Sequence, residues 1–387
     1  MMADLATPPQ IEEEIRKHPD LVVRERTPYN GGPPPALQRA SFLTPNDLFF
    51  VRNHAPVPAV DPDSYRLTVD GAVERPLSLS LADLAERFRR VELTATLQCA
   101  GQRRQEMAAI APLPGELPWD ADAVSTARWS GWRLADLLTA AGVPQEQAPE
   151  GARAAHAAFV GLDDVERHGR TFGFGGSIPL GKALTPEVLL ADRMNGEPLP
   201  PTHGFPLRVV VPGYIGARSV KWVTRITIQE RSSDNYFQSV AYRLYPPGTT
   251  AETADPETAF ELGELSVSSL IACPAPGAEV AAGPVTVRGL AFAGGGRPVR
   301  RVDLSGDGGQ SWIQARLTED GRIEDPGRRG WAWRFFEGEV VLEPGEREIV
   351  ARAWDTAGNT QPESPAQVWN YKGYMNNAWS RVRVRCV

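Results

Sequence analysis

The texture of apolar and polar positions changes twice along the chain. Residues 1 to about 40 are polar and proline-rich, including Tyr29-Asn30-Gly31-Gly32-Pro33-Pro34-Pro35, and read as an extended arm with one short helix around Ile11 to His18. From Leu43 apolar positions recur with strand and helix periods. Leu48-Phe49-Phe50-Val51 is a short strand-like run, and Tyr65-Arg66-Leu67-Thr68-Val69 alternates as a half-buried strand does. Leu79 to Phe88 has helical spacing, and Val91 to Leu97 reads as a strand running into Cys99. Trp132 to Ala141 predicts a helix that stops at Gly142, a residue suited to the left-handed position beyond a helix end. Leu207 to Val211 and Val220 to Ile228 predict further strands. Strands and short helices mix without a strict strand–helix–strand rhythm, so residues 41–262 are assigned to an α+β domain.

From about Ser266 the pattern turns all-β. Val285 to Gly289, Val299 to Leu304, Ser311 to Leu317, Trp331 to Phe335, Glu348 to Ala353 and Val368 to Tyr371 are candidate strands. Turn clusters such as Gly306-Asp307-Gly308-Gly309 separate them at short intervals, which describes an immunoglobulin-like sandwich over residues 263–387. Gln229 to Leu265, rich in Asp, Ser and Pro, is the expected connection. Cys273 and Cys386 fall at the two ends of the sandwich, so no inter-sheet disulfide is expected.

Composition narrows the classes. Apolar residues make up 42%, which excludes a wholly disordered chain. The 36 glycines and 35 prolines suit many short strands joined by turns. A net charge of −7 argues against nucleic acid, which needs a basic face. No apolar stretch approaches the ~20 residues of a membrane-spanning helix. The first residues carry Glu12, Glu13 and Glu14, with no secretory or twin-arginine leader, so the expected compartment is the cytoplasm. Three scattered cysteines fit a reducing compartment and exclude a zinc ribbon, a Cys-x-x-Cys redox pair and a haem-attachment motif.

Four segments carry candidate chemistry. Cys99 opens Ala100-Gly101-Gln102-Arg103-Arg104, where two arginines favour a thiolate and Gly101 permits close backbone approach. Spacing alone favours Cys99 as a small buried apolar residue, with the two arginines as ordinary surface charges. In Phe50-Val51-Arg52-Asn53-His54, alternation places Phe50, Arg52 and His54 on one face. The third segment is Thr202 to Arg208 and the fourth Gly213 to Trp222. A lone histidine in such places is more often structural than a ligand. Cations, imidazoles, amides and glycines together suit a phosphate-bearing or otherwise anionic ligand better than a divalent-metal cage. Gly173-Phe174-Gly175-Gly176 is a fragment of a dinucleotide fingerprint with no helix signal after it, and is set aside.

These motifs, taken in order, resemble the sulfite oxidase family. The order runs Phe-Val-Arg-Asn-His, Leu-Gln-Cys-Ala-Gly-Gln-Arg-Arg, Ser-Thr-Ala-Arg-Trp, His-Gly-Phe-Pro-Leu-Arg-Val-Val-Val-Pro-Gly and Val-Lys-Trp. The closing stretch from Trp369 to Trp379 is similar to the end of that family's dimerisation domain. The resemblance covers about Phe42 to Val384. It implies molybdenum held by one pyranopterin dithiolene (Mo-molybdopterin) and one thiolate, matched here by Cys99. Matching cofactor contacts are Phe50, Arg52, Asn53, His54, Asp163, His203, Arg208, Ser219, Val220 and Lys221, with Arg208 and Lys221 suited to the phosphate. Matching substrate positions are Arg52, Arg104, Trp119, Tyr242 and Lys372. Gln102 stands where the family usually has Asn, and Lys372 where animal members have Arg.

The implied reaction is sulfite plus water to sulfate, releasing two electrons and two protons to a separate acceptor, dioxygen or a cytochrome. Arg52, Arg104 and Lys372 would neutralise the substrate, and Tyr242 would hydrogen-bond it or move a proton. A homodimer is expected. Only about 40 residues precede the motifs, too few for the cytochrome b5 domain of animal members, so no haem is expected. Two rival readings remain: a nitrate reductase-like molybdenum domain, against which Tyr242 and Lys372 weigh, and a non-catalytic binding protein built on the immunoglobulin-like domain.

Overall fold

The computed structural model describes residues 15–143, 155–318 and 330–387. Two five-stranded sheets form the N-terminal α+β part. The first orders Glu197–Pro198, Leu189–Met194, Val124–Arg133 and Arg90–Gln98, with Arg208–Val210 also paired to Leu189–Met194. The second orders Leu77–Leu79, Leu67–Gly71, Val223–Gln229, His156–Arg167 and Arg170–Pro179. Only Val223–Gln229 and Leu67–Gly71 run parallel in it. A short helix, Leu81–Arg87, starts at a capping box in which Ser80 and Asp83 satisfy each other's backbone N–H groups.

Residues 268–386 build two further sheets. One orders Ser268–Cys273, Gly283–Phe292, Arg334–Leu342 and Arg316–Thr318. The other orders Glu279–Val280, Ser380–Cys386, Gly345–Asp355, Val299–Ser305 and Ile313–Gln314. Val287, Phe336 and Val340 from one sheet share a core with Val302, Ile349, Ala351, Val382 and Val384 from the other, which makes a sandwich. Cys273 and Cys386 are both free thiols.

Several expected elements are corrected. Residues 11–14 lie outside the described residues, and 15–18 form no helix. Leu48 to Val51 is a turn, because the Leu48 and Phe49 N–H groups donate back to the Pro45 carbonyl, leaving only Val51 to bridge Gly31. The helix expected over Trp132 to Ala141 is shorter, Leu134–Ala140, because Trp132 completes a strand; Gly142 does follow it at φ +81°. Ser311 to Leu317 splits into Ile313–Gln314 and Arg316–Thr318. The strand expected at Trp331 begins at Arg334. Val368 to Tyr371 is not a strand. Pro365 and the Ser364 capping box start a 3-10 turn there, and the chain continues irregularly.

Two features position the site. Pairing between His156–Arg167 and Arg170–Pro179 slips between Val160 and Asp164, a bulge that re-aims Asp163. Glycines make it possible: a Cβ on Gly161 would lie 2.6 Å from the Lys221 carbonyl oxygen, and one on Gly173 2.2 Å from that of Gly161. Second, one apolar core crosses between the α+β part and the sandwich, joining Leu67, Trp132 and Val209 to Leu270, Leu290 and Trp333. Trp333 is fully buried; its backbone N–H donates to Thr96 Oγ1 at 2.8 Å and its Nε1 to the Phe42 carbonyl at 3.0 Å. Trp333→Ala is therefore expected to destabilise the chain by about 3–5 kcal/mol through lost burial and a cavity. Urea denaturation followed by circular dichroism measures this; an unchanged midpoint would show that the two parts do not depend on this contact.

Candidate functional site

A single cavity is lined by Phe50, Arg52, Asn53, His54, Cys99, Asp163, His203, Arg208, Ser219, Lys221 and Tyr242. Eleven positions singled out in the sequence thus meet in one place. Val220 lies between two of them but sends its side chain into the apolar core. Arg104, Trp119 and Lys372 are not among the lining residues: Arg104 and Lys372 meet at Glu116, and Trp119 is buried in the apolar cluster that includes Cys99.

Cys99 ends the strand Arg90–Gln98, where its N–H still donates to the Ala123 carbonyl at 2.9 Å. The Gly101 N–H donates to its sulfur in a weak contact at 3.4 Å. Gln102 braces this loop: its Oε1 accepts the Ala123 N–H at 2.6 Å. The two arginines that follow go separate ways. Arg103, at φ +60°, turns from the cavity and donates to the Ala378 and Trp379 carbonyls and to Glu106. Arg104 lies so close over Gly101 that any Cβ there would meet its guanidinium. It donates to the Lys372 and Gly373 carbonyls at 3.1 and 3.3 Å and packs on the Tyr374 ring.

Residues 50–54 are not a strand, so the alternation expected of Phe50, Arg52 and His54 does not apply; Asn53 faces the cavity with them. An unforeseen residue, the fully buried Asn30, holds this loop by accepting the Asn53 N–H at 2.7 Å and an Arg52 N–H at 3.3 Å. Asn53 Oδ1 accepts from Lys221, whereas its buried Nδ2 finds no partner among the described residues. Such an orphan donor at a cavity wall asks for a ligand acceptor. His54 Nε2 and the Tyr242 hydroxyl are 2.8 Å apart. Burial first, then Arg52 and Lys221, push His54 well below its ordinary 6.5, while burial raises the Tyr242 phenol, so both are neutral near pH 7.

Across the cavity the charges are mostly positive. Arg208 donates to the His203 and Ser219 carbonyls at 3.0 and 3.1 Å and lies over Trp129. Lys221 donates to the Thr202 carbonyl at 3.0 Å. Burial lowers Arg208 to about 9 and pushes Lys221 and His203 well down. Asp163 is the carboxylate among them. Burial raises it to about 6 against the pull of Lys221, and it accepts the Phe174 N–H at 3.1 Å. Behind His203 lies Lys17, which no sequence signal marked: it comes from the polar arm. Its Nζ is 2.7 Å from the Asn46 carbonyl, 3.0 Å from that of Phe49 and 3.1 Å from His203 Nε2. Arg218, inside the fourth segment, is a brace bonded to the Leu262 and Phe237 carbonyls.

The arrangement suits a large ligand with an anionic end. Cations held by backbone carbonyls and the Cys99 sulfur line the same cavity. Among the described residues no three His, Cys, Asp or Glu side chains group as a metal cage, and no helix is long and apolar enough to cross a membrane.

Lys17 gives a pH prediction. Burial lowers it to about 7 from an ordinary 10.5, so between those values the unfolded chain binds a proton that the folded chain does not. Stability must rise with pH through that window. In solution free of oxyanions and bound ligand, Lys17→Met is expected to flatten the rise by about 2 kcal/mol between pH 7 and 9. Urea midpoints against pH for both proteins test it; parallel curves would refute it.

Similarity to known proteins agrees with this geometry. The family model for the oxidoreductase molybdopterin binding domain matches residues 54–237, and that for the Mo-co oxidoreductase dimerisation domain matches 260–387. A sulfite oxidase of Gallus gallus is 50% identical over 369 residues, covering 94% of this chain and 78% of that protein. A sulfite oxidase of Arabidopsis thaliana is 38% identical over 392 residues, 99% of this chain and 98% of the relative. Among solved structures, the sulfane dehydrogenase SoxCD from Paracoccus pantotrophus matches with a TM-score of 0.76 and 26% identity, over 98% of this chain and 91% of that one. With both domains matched and relatives aligned along nearly the whole chain, this protein belongs to the sulfite oxidase family of molybdopterin-binding oxidoreductases.

Proposed function

We propose that this chain oxidises sulfite to sulfate at molybdenum held by one pyranopterin dithiolene and the Cys99 thiolate. The observation that carries the reading is the cavity itself, which joins a cysteine sulfur to buried cations outnumbering the carboxylate beside them. Arg208 and Lys221 would hold the cofactor's phosphate by charge-assisted bonds. The unpartnered Asn53 Nδ2, His203 and Asp163 would bond polar atoms of the pterin, with Phe50, Arg52, His54 and Ser219 bordering it and Val220 contributing at most its backbone. Bound there, the metal would supply oxygen transfer to sulfur and take up two electrons.

The remaining steps belong to protein groups. Arg52, Arg104 and Lys372 neutralise the substrate, and their partial burial makes each interaction stronger than a surface pair. Tyr242, kept protonated by burial, donates to a substrate oxygen or exchanges a proton with His54. Trp119, fully buried, walls the pocket. Water enters as the source of the added oxygen, and two protons leave with two electrons to a separate acceptor, dioxygen or a cytochrome. The reading places the enzyme in the cytoplasm, where free Cys99, Cys273 and Cys386 stay reduced, as a homodimer joined through residues 263–387.

Steady-state turnover with sulfite and a panel of acceptors tests the assignment. Cys99→Ser and Cys99→Ala are expected to lose turnover while keeping the wild-type circular dichroism spectrum; sulfite oxidation at the wild-type rate by either would remove Cys99 from the site. Arg52→Gln and Arg104→Gln are each expected to lower kcat/KM by about tenfold to a hundredfold, as the loss of one charge-assisted hydrogen bond does. Normal efficiency of both at low salt would place the substrate elsewhere. Sedimentation of the purified enzyme should give twice the chain mass, and a monomer at micromolar concentration would contradict the dimer.

A further inference from the structure

The cations assigned to sulfite are not idle in this structure. Lys372 Nζ donates to Glu116 Oε1 at 2.8 Å, and the other oxygen of the same carboxylate lies 3.3 Å from Arg104 Nη2. One carboxylate therefore bridges two of the three substrate cations. Its side chain is 16% exposed, against 5% for Arg104 and 26% for Lys372, so the bridge is poorly screened.

The chain builds this contact from both ends. Glu116 sits in the turn between the short helix Arg104–Ala108 and Trp119, directly after Gly115, whose φ of +75° lets the backbone reverse. The neighbouring Leu117 carbonyl accepts from Arg104 at 2.9 Å, which fixes the guanidinium beside the carboxylate. The Arg104 guanidinium packs on Tyr374 with 5.2 Å to the ring centre, and Tyr374 stacks on Tyr242 at 5.3 Å. Glu116 thus faces the same end of the cavity as Tyr242 and Cys99, and its charge, with that of Cys99, acts on both tyrosines.

We propose that Glu116 is a resident counter-anion of the substrate pocket, which an incoming oxyanion must displace from Arg104 and Lys372. This deepens the sulfite reading and rests on it for the identity of the substrate. Two effects follow. The carboxylate keeps both cations paired and oriented between turnovers, where unpaired cations would be costly. It also weakens every oxyanion equally, so the product sulfate is expelled as Glu116 regains its contacts. Affinity is given up for release, the distinction between KM and kcat that uniform binding controls.

The test uses the holoenzyme, whose cofactor phosphate occupies the other cationic cluster. In Glu116→Gln the side chain keeps its shape but loses the competing charge. The sulfite KM and the inhibition constant for sulfate should then fall together by about tenfold, the worth of one charge-assisted contact. Thermal stabilisation by sulfate, which needs no turnover, should reach half its effect at a correspondingly lower sulfate concentration. A KM that rises, or a sulfate half-point that is unchanged or higher, would mean that Glu116 merely holds its neighbours in place, and would overturn the proposal. If Glu116→Gln does not fold, Glu116→Asp, with its charge drawn back by one methylene, should shift the same half-point in the same direction, and no shift would count equally against it. Should wild type fail to oxidise sulfite, the functional reading falls, yet the two sulfate half-points still decide the role of Glu116.

Discussion

The interior around Cys99 is organised by a single difficulty: several cations are buried close together with too little negative charge to match them. Arg208 and Lys221 share that interior with Asp163, and Lys17 joins them from the arm. Neutral acceptors take up the load. The carbonyls of Asn46, Phe49, Thr202, His203 and Ser219 each point at a cationic nitrogen, so the loops that carry them have little conformational freedom left. Burial, aided by the same positive field, keeps His54 and His203 neutral, leaving each ring with one donor and one acceptor nitrogen. Stability is surrendered locally so that an anion has somewhere to bind.

Backbone strain gathers at the same place. Arg103, Trp222, Tyr242 and Met375 are non-glycine residues at positive φ, and all four border the cavity or the loop over it. Each such residue costs about 1–3 kcal/mol and persists only where its surroundings hold it. The surroundings here are specific: Arg103 is held by the Ala378 and Trp379 carbonyls, Trp222 by the Pro201 carbonyl, and Met375 by that of Ala100. The pocket is therefore set by the folded frame rather than assembled by its ligand.

Much of this was legible in the sequence, and the parts that were not share a cause. Strands with alternating or continuous apolar residues, such as Arg90–Gln98 and Gly345–Asp355, declare themselves because burial follows a period. Motif order carried the site residues, since chemistry recurs in fixed local spacing. Asn30 and Lys17 were invisible because each works alone, from a polar segment, through contacts to residues about 20 to almost 190 positions away. Glu116 was hidden for a different reason. A glutamate in a Gly-Pro-rich loop looks like an ordinary surface charge until the fold brings Lys372 back against it. Phe49 and Phe50 misled as a strand because Pro45, four and five residues upstream, had already committed the backbone to a turn.

Residues 369–379 return to the loop that follows Cys99. Trp369 donates to the Met107 carbonyl, Met375 to that of Ala100 and Asn376 to that of Arg103, while Arg103 and Arg104 answer with bonds to residues 372, 373, 378 and 379. On a ribosome these residues emerge long after Cys99 has done so. The α+β part can condense early, as N-terminal units do, but the wall beside its cysteine loop stays unbuilt until residues 369–379 have been made. Order of synthesis thus acts as a timing device. A nascent chain exposes its cysteine loop for most of the period in which the sandwich is being made, and covers it only once residues 369–379 have followed.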